Sequence, residues 1–352
     1  MLDRIFRLTE HATDLRTELL GGLTTFMTMA YIIFVNPALL SQTGMDFEAV
    51  MVATCLSAAV ATWVMGLAAN YPIALAPGMG ENFFFVSVVV GMGVPWQVAL
   101  AAVFVSGIVF FLLTFLRVRQ MIIDAVPASL KHAIAVGIGL LIAFLGLMGA
   151  GLVERPPDSR LVHMGDLLRA PTLVAVVALI LTVGLMAYRV RGAILLGMIF
   201  AAGMAWSMGL IEWQGLLAAP PSLAPTFLKM DLRGLLDLAM VPVIVVFLFM
   251  AVFDAIGTLI GIGQQAGLLR DGKLPRATPA LMADSSGTVL GSILGTSTVT
   301  AYIESATGVE AGARTGLANM SRERSSSSPS SSLPWCAWWA EAFRWRAACF
   351  SR

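Results

Sequence analysis

Ten apolar runs, following one another between residues 20 and 311, constrain this chain more than any other feature of its sequence. A helix needs about 17–25 residues to cross the hydrocarbon core of a bilayer, and most of the runs have that length. Charged residues make up 12% of the chain, against about 25% in ordinary soluble domains, so lipid must solvate much of its surface. The sequence predicts an all-α polytopic membrane protein with spans at 20–40, 47–69, 73–90, 95–116, 128–151, 171–188, 192–211, 236–260, 279–295 and 296–311.

Composition and cysteine spacing give no sign of a nucleic-acid partner, a metal or another cofactor. The net charge is +1, so the chain lacks the basic field of a nucleic-acid-binding protein. Cys55 lies in an apolar run, Cys336 and Cys349 lie near the C-terminus, and no C-x-x-C spacing occurs. The N-terminal segment mixes charges of both signs and lacks the pattern of a cleavable signal, which predicts a cytoplasmic lead-in at 1–19.

The third predicted span contains ALAPGMGENFFF, which has the composition of a broken helix. Proline and glycines precede the polar pair Glu81 and Asn82, and Gly80 stands directly before that pair. An extended piece that leads into a half-helix places free N–H groups and the positive end of a helix dipole inside the membrane. Gly80, Glu81 and Asn82 are therefore candidate substrate-binding residues.

The tenth predicted span, within GSILGTSTVTAYIESATG, is similar in kind. The β-branched residues from Thr298 to Thr300 favour an extended chain, and Glu304 and Ser305 follow them. Interrupted segments at corresponding positions of two halves point to a transporter site near the midplane. Thr298, Thr300, Glu304 and Ser305 are therefore candidates too, with close helix packing as the alternative explanation of the glycines.

Four carboxylates lie within or beside apolar spans, namely Asp254, Glu304, Glu81 and Asp284. An ionised side chain at mid-bilayer costs at least ~2.5–3.5 kcal/mol on insertion scales, so such residues should face a cavity or a partner. The alternative is that each is neutral or hydrogen-bonded to a neighbouring helix. For Glu81 and Asp284, which lie close to predicted helix ends, water or backbone N–H groups are equally good partners.

The distribution of Lys and Arg among the loops predicts an N-terminus on the cytoplasmic side. The first outside loop, 41–48, has no Lys or Arg, and the outside loops 152–170 and 212–235 mix both signs of charge. The inside loops then carry Arg117, Arg119, Lys131, Arg189, Arg191, Arg270, Lys273 and Arg276.

Several long motifs give the chain a specific resemblance to a known family. TELLGGLTTFMTMAYIIFVNPALLSQTGMD, ALAPGMGENFFF, FDAIGTLIG and ADSSGTVLGSILGTSTVTAYIESATGVEAGARTGL occur in this order between about Thr17 and Asn319. They resemble the hypoxanthine/guanine/adenine permeases, the AzgA-like branch of the nucleobase–cation symporters related to xanthine and uracil permeases.

The resemblance implies an inverted-repeat fold of seven plus seven spans, with short strands in the third and tenth spans. Spans one to four and eight to eleven of the family form a core domain, and the others form a gate domain. Applied to this chain, the resemblance implies core spans at 20–116 and 212–311, gate spans at 117–211, and a tail at 312–352.

The resemblance further implies proton symport of a purine nucleobase, such as hypoxanthine, guanine or adenine, across the cytoplasmic membrane. By motif, Glu304 matches the acid after the tenth-span strand, and we expect it to hold the purine. Asp254 matches the acid of the eighth span and, with Glu304, is the candidate for proton coupling. Thr258 lies one helical turn after Asp254 and shares its face. Gly80 and Asn82 match the Gly-x-Asn of the third span.

Two departures from the family pattern affect the expected activity. Many relatives carry a second acid three residues before the Asp254 position, where this chain has Ala251. After about Asn319 the family continues through roughly four more spans, whereas this chain reads MSRERSSSSPSSSLPWCAWWAEAFRWRAACFSR. A GC-rich coding sequence read out of frame has this composition, and a divergent disordered tail is the alternative. We expect a frameshift or truncation that leaves the gate incomplete and impairs transport.

Two other functions compete with purine transport. One is an inorganic-anion carrier or channel of the same inverted-repeat architecture, which Glu304 and Asp254 disfavour because an anion site needs cationic or neutral groups. The other is an intramembrane enzyme, for which neither H-E-x-x-H nor G-x-S-x-G occurs. The expected partners are the base and the lipid bilayer, and the sequence does not decide between a monomer and a homodimer.

Overall fold

Helices dominate the computed structural model of the chain, which describes residues 6–116, 128–154, 162–188, 190, 193–210, 221–268 and 274–320. Within these residues, five helical segments are long and apolar enough to cross a membrane. Each predicted span contains a helix. The helices are α1 (Leu15–Met29), α2 (Ile32–Leu40), α3 (Phe47–Ala68), α4 (Met79–Val86), α5 (Trp96–Phe115), α6 (Ala128–Gly149), α7 (Ala170–Ala187), α8 (Ala193–Ser207), α9 (Val241–Gln265), α10 (Ala277–Leu294) and α11 (Ser305–Glu310).

Helix α1 begins at Leu15, before residue 20, where the sequence predicts the start of the first span. Asp14 is the reason, because its extended backbone and its side chain cap the helix; Oδ1 accepts a hydrogen bond from the Thr17 N–H at 2.8 Å. Glu18 in the first turn is fully buried and accepts the backbone N–H of Arg314 at 2.9 Å. The start of α1 is thereby fixed to the segment after α11.

The third and tenth spans each consist of a short strand followed by a half-helix, as the sequence predicts. Strand β1 (Leu75–Pro77) precedes α4, and a later strand, Val299–Ala301, precedes α11. The two strands pair antiparallel, with Ala76 opposite Thr300. A small hairpin of β2 (Val153–Glu154) and β3 (His163–Met164) separates α6 from α7, so the tenth-span strand is β4.

Side chains from α3 and α10 satisfy the outer edges of the β1–β4 pair. The Thr62 hydroxyl accepts the N–H of Leu75 at 2.9 Å and lies 3.1 Å from its carbonyl oxygen. On the other edge, Asp284 Oδ1 accepts the N–H of Ala301 at 2.8 Å. The Thr288 hydroxyl donates to the carbonyl of Val299 at 2.8 Å. An unpaired backbone group inside a bilayer costs several kcal/mol, so these three side chains allow the strands to exist there.

The helices separate into a well-packed group and a more exposed group. Helix α10 packs on α3 and α5, α9 packs on α5, and α11 packs on α1. By contrast, α7 and α8 pack mainly on each other. Only 17% of the most apolar stretch of α7 is buried, against 67% for the first span. A helix this apolar and this exposed requires lipid as its solvent.

Three sequence predictions concern residues outside the described ranges. The tail from Ser321 onward lies outside them. Most of the cations on which the predicted orientation depends also lie outside the described ranges, namely Arg117, Arg119, Arg189, Arg191, Arg270 and Lys273. The orientation, the frameshift and the complete seven-plus-seven repeat therefore stay predictions.

The close approach of α1 and α11 requires glycine, and Gly308→Ala tests this packing. A Cβ at residue 308 would meet the Thr25 hydroxyl and, at 2.7 Å, the carbonyl oxygen of Gly21. Backbone atoms cannot move aside cheaply, so we expect a loss of about 1–3 kcal/mol in stability and a lower melting temperature in detergent. Gly184→Ala on α7 is the control, because its Cβ would meet nothing within 4 Å. Equal melting temperatures for the two variants would contradict the packing.

Candidate functional site

A cavity of about 150 Å³ lies where the antiparallel pair of β1 and β4, called the strand crossing below, meets α9 and the first span. Residues of β4, the first turn of α4, and the segments after β1 and before α11 line it, together with α9 and Tyr31. Six of the nine residues that the sequence predicts for the site line this cavity, namely Gly80, Glu81, Asp254, Thr258, Thr300 and Glu304.

The local fold brings these six residues together from three distant stretches of the chain. Gly80 and Glu81 lie in the first turn of α4, directly after β1. Thr300 belongs to β4, and Glu304 is the residue before α11. Asp254 and Thr258 lie one turn apart on α9, as their spacing predicts. Pairing of the strands therefore sets the distance between the two half-helices that carry Glu81 and Glu304.

Three carboxylates share this small space. Asp254 is close enough to interact electrostatically with both Glu81 and Glu304. Thr300 lies beside Asp254, and its buried hydroxyl has no hydrogen-bond partner among the described residues. No lysine or arginine of the described residues lines the cavity. The site therefore presents hydrogen-bond acceptors, and it is suited to a ligand that brings donors and no negative charge.

Glu81 holds a buried carboxylate oxygen without a hydrogen-bond partner among the described residues. Its side chain is 2% exposed, and the oxygen in question is Oε1. The carboxylate folds back over Gly78, where a Cβ would collide with Oε2 and would also lie 2.8 Å from the Thr300 methyl group. A buried acceptor without a partner costs about 1–3 kcal/mol, so a donor supplied by a ligand would be favourable here.

Asp284, the fourth acid, has a structural position. It lies on α10, does not line the cavity, and accepts the N–H of Ala301. The sequence left open whether water or backbone N–H groups would bind Asp284, and a backbone N–H group is the partner observed.

The remaining three predicted residues, Asn82, Thr298 and Ser305, are fully buried and do not line the cavity. Thr298 accepts the N–H of Gly78 through its carbonyl oxygen at 2.8 Å. Ser305 accepts the N–H of Ala74 through its hydroxyl oxygen at 3.0 Å. Both residues extend the pairing beyond the strands themselves.

Asn82 belongs to a buried polar network behind the cavity. Its Nδ2 donates to Asn36 Oδ1 at 2.5 Å. The Asn36 amide in turn donates to the hydroxyls of Thr54 at 2.6 Å and Thr296 at 2.9 Å. Asn36 thus joins α2, α3, α4 and the segment before β4.

Two tyrosines at the cavity were not predicted from the sequence. Tyr31 donates its hydroxyl to Glu304 Oε1 at 2.6 Å. Tyr302 donates to the carbonyl oxygen of Pro77 at 2.5 Å and so ties β4 to β1 a second time. The one sequence signal for either residue is a tyrosine within an apolar run, because the hydroxyl of a buried tyrosine usually has a hydrogen-bond partner. The described residues hold no cluster of three or more metal-ligating side chains with suitable geometry.

Comparison with known proteins places this geometry in a family. The profile of Xan_ur_permease, described as a permease family, matches residues 16–318. An adenine permease of Escherichia coli is 45% identical over 90% of this chain and 72% of its own length. A guanine/hypoxanthine permease of Bacillus subtilis is 46% identical over 89% of this chain and 74% of its own length. The transmembrane domain of a cyanobacterial bicarbonate transporter has a similar fold, with a TM-score of 0.61 and 15% identity over 88% of this chain and 80% of that domain.

The position of Ser305 predicts that Ser305→Ala weakens the fold more than it weakens binding. The variant leaves the Ala74 N–H without an acceptor at the strand crossing, which costs about 1–3 kcal/mol. We expect a lower melting temperature in detergent, with purine affinity within about twofold of the wild type at temperatures where the protein is folded. Ser87→Ala is the matched control, because its hydroxyl only donates to Phe84 on an exposed surface. A large affinity loss without a change in melting temperature would instead place Ser305 in the binding site.

Proposed function

The chain belongs to the Xan_ur_permease family, and on that basis we propose that it carries purine nucleobases, such as adenine, guanine or hypoxanthine, across a cytoplasmic membrane. The observation that supports this most strongly is the cavity at the strand crossing, where Glu81, Asp254 and Glu304 meet. It is a multi-pass membrane protein, and the loop charges support an N-terminus on the cytoplasmic side.

A neutral heterocycle with N–H groups suits these acceptors. A purine presents ring N–H and amino donors, which can bind the carboxylate of Glu304 and the orphaned Oε1 of Glu81. Its ring acceptors can bind the free N–H groups in the first turn of α4, of which Gly80 is a part. The flat ring carries no charge, so it adds no repulsion to a site that already holds three acids.

Transport requires that the site open alternately to the two sides. The strand–half-helix units of the third and tenth spans support an inverted repeat, in which one bundle moves against the other around a fixed site. The well-packed group of helices that carries the cavity is then the core. The exposed helices α7 and α8, with α6, are the part of the described chain against which that core moves.

Proton symport is the coupling that the acid cluster supports. Carboxylates crowded in a poorly hydrated space repel one another, and binding a proton to one of them relieves that repulsion. Asp254, between Glu81 and Glu304, is best placed to exchange this proton as the base binds or leaves. Coupling to sodium instead of protons would require several oxygen ligands arranged around a bound sodium ion.

An inorganic-anion carrier is the alternative, since the bicarbonate transporter shares the fold. At 15% identity that likeness concerns the fold alone. The three acids argue against an anion as substrate, because a bound anion would meet their charge without a lysine or arginine among the described lining residues.

Uptake of radiolabelled adenine, guanine and hypoxanthine tests the proposed function. We expect saturable uptake in cells that lack their own purine permeases, and excess unlabelled purine should compete whereas bicarbonate should not. Vector-only cells are the control for leakage, and surface labelling confirms that the protein reaches the membrane. Uptake no greater than in vector-only cells, together with no purine binding by the purified chain, would refute the proposal.

Glu304→Gln should weaken purine binding by about five- to 150-fold, which corresponds to roughly 1–3 kcal/mol for a lost acceptor. The amide keeps the size of the side chain but replaces one acceptor oxygen by a donor. Equilibrium binding to the purified protein measures the loss without requiring transport. Glu310→Gln at the end of α11 is the control, because Glu310 is exposed and binds only Gln265 among the described residues. Similar affinities for both variants would remove Glu304 from the site.

Proton coupling predicts that uptake rises as external pH falls, because protons are then more abundant on the side from which substrate enters. A protonophore should abolish accumulation against a gradient, and replacing sodium by choline should have no effect. Accumulation that follows the sodium gradient at fixed pH would contradict proton coupling and would leave the purine substrate standing.

A further inference from the structure

The first span is interrupted beside the cavity, at a place where the sequence predicted one continuous helix. Helix α1 ends at Met29 and α2 begins at Ile32. Between them the chain tightens, with hydrogen bonds from Ile33 to Ala30 and from Phe34 to Tyr31 that span three residues instead of four. This interruption places Tyr31 against the residue that precedes α11.

Tyr31 holds the carboxylate of Glu304 by a short hydrogen bond. The hydroxyl donates to Oε1 at 2.6 Å, and both residues line the cavity. A bond from a hydroxyl to an ionised acceptor is about twice as strong as one between neutral groups. A carboxylate can accept about four hydrogen bonds, so this one leaves acceptor capacity for a ligand.

The first span also contacts the backbone of Glu304. The Thr307 hydroxyl donates to the Glu304 carbonyl oxygen at 2.7 Å and lies 3.0 Å from the hydroxyl of Thr28. Thr28 belongs to the last turn of α1, and its hydroxyl lies 3.5 Å from the same carbonyl oxygen. The two ends of Glu304, backbone and carboxylate, are therefore both held from the interrupted span.

We propose that Tyr31 positions Glu304 and, with it, makes the site select purines that present two adjacent N–H donors. The proposal rests on the proposed function and deepens it. Because Tyr31 donates its single hydroxyl proton to Glu304, its oxygen offers only lone pairs to the cavity. The phenol oxygen and the carboxylate then form a pair of neighbouring acceptors.

Guanine matches this pair, because its N1–H and its amino group at C2 lie side by side. Hypoxanthine has the same N1–H and the same ring carbonyl but lacks the amino group. Adenine has a ring acceptor at N1 in place of the N–H, so N1 would oppose the carboxylate and donate nothing to it. The arrangement of acceptors therefore predicts binding in the order guanine, hypoxanthine, adenine.

The first test uses the unmodified protein and requires no variant to fold. Equilibrium binding of the three bases to the purified chain should give guanine an affinity about tenfold higher than hypoxanthine, the effect of one well-placed hydrogen bond. Equal affinities for guanine and hypoxanthine, or a preference for adenine, would overturn the selectivity. If no purine binds at all, the proposed function fails instead.

The second test is Tyr31→Phe, which removes the hydroxyl and keeps the ring. Guanine affinity should fall by about tenfold and hypoxanthine affinity by less, so the ratio between them should shrink. In the Glu304→Gln background the same change should have little further effect, because the two groups act as a pair. Tyr188→Phe is the control, since Tyr188, directly after α7, is 86% exposed. An unchanged ratio in Tyr31→Phe, or effects that add fully in the double variant, would overturn the role of Tyr31.

Discussion

The requirement that every backbone group inside the bilayer find a partner determines most of this structure. The strands β1 and β4 interrupt two spans, and each can satisfy only one edge by pairing with the other. Thr62, Thr288 and Asp284 supply the missing partners. Those side chains in turn require that α3 and α10 lie directly against the strands. The packing of the core therefore follows from the need of these backbone groups for hydrogen-bond partners.

The same requirement explains why the chain keeps so many acids among apolar helices. Asp284 serves the backbone of β4, while Glu18 serves the N–H groups of Arg314 and Thr315. Those two carboxylates replace water for groups that lipid cannot solvate. Asp254 and Glu304 have a different surrounding, because they face a cavity instead of a row of N–H donors. The contrast separates acids that complete the fold from acids that are left for a ligand.

The sequence predicts the spans, the two broken helices and the acids of the site, because each leaves a local signal. Hydrophobic length marks a span, glycine and proline mark a break, and a lone carboxylate in an apolar run marks a cavity or a partner. Six of the nine predicted site residues reach the cavity for this reason. The spacing of Asp254 and Thr258 was sufficient to place both on one face of α9.

Contacts between distant segments leave no such signal. Whether Ser305 faces the ligand or the N–H of Ala74 depends on the register of two strands more than two hundred residues apart. Asn82 points toward Asn36 because α2 happens to present an amide there. The bond from Tyr31 to Glu304 arises from an interruption in the first span that its apolar composition hides. The direction of a side chain depends on tertiary contacts. These residues are polar whether they face the ligand or another part of the protein, so their polarity does not reveal the direction.

The central claim is that a purine base binds at the strand crossing, between Glu304 and Glu81. A crystal structure with a brominated purine tests it most directly, because anomalous scattering locates the bromine independently of the protein atoms. The account predicts one bromine peak within the cavity that Asp254 and Glu304 line, with the ring in hydrogen-bonding distance of Glu304. A peak elsewhere, for example in the apolar cleft between α1 and α3 beside Cys55, with the cavity left without ligand, would contradict it.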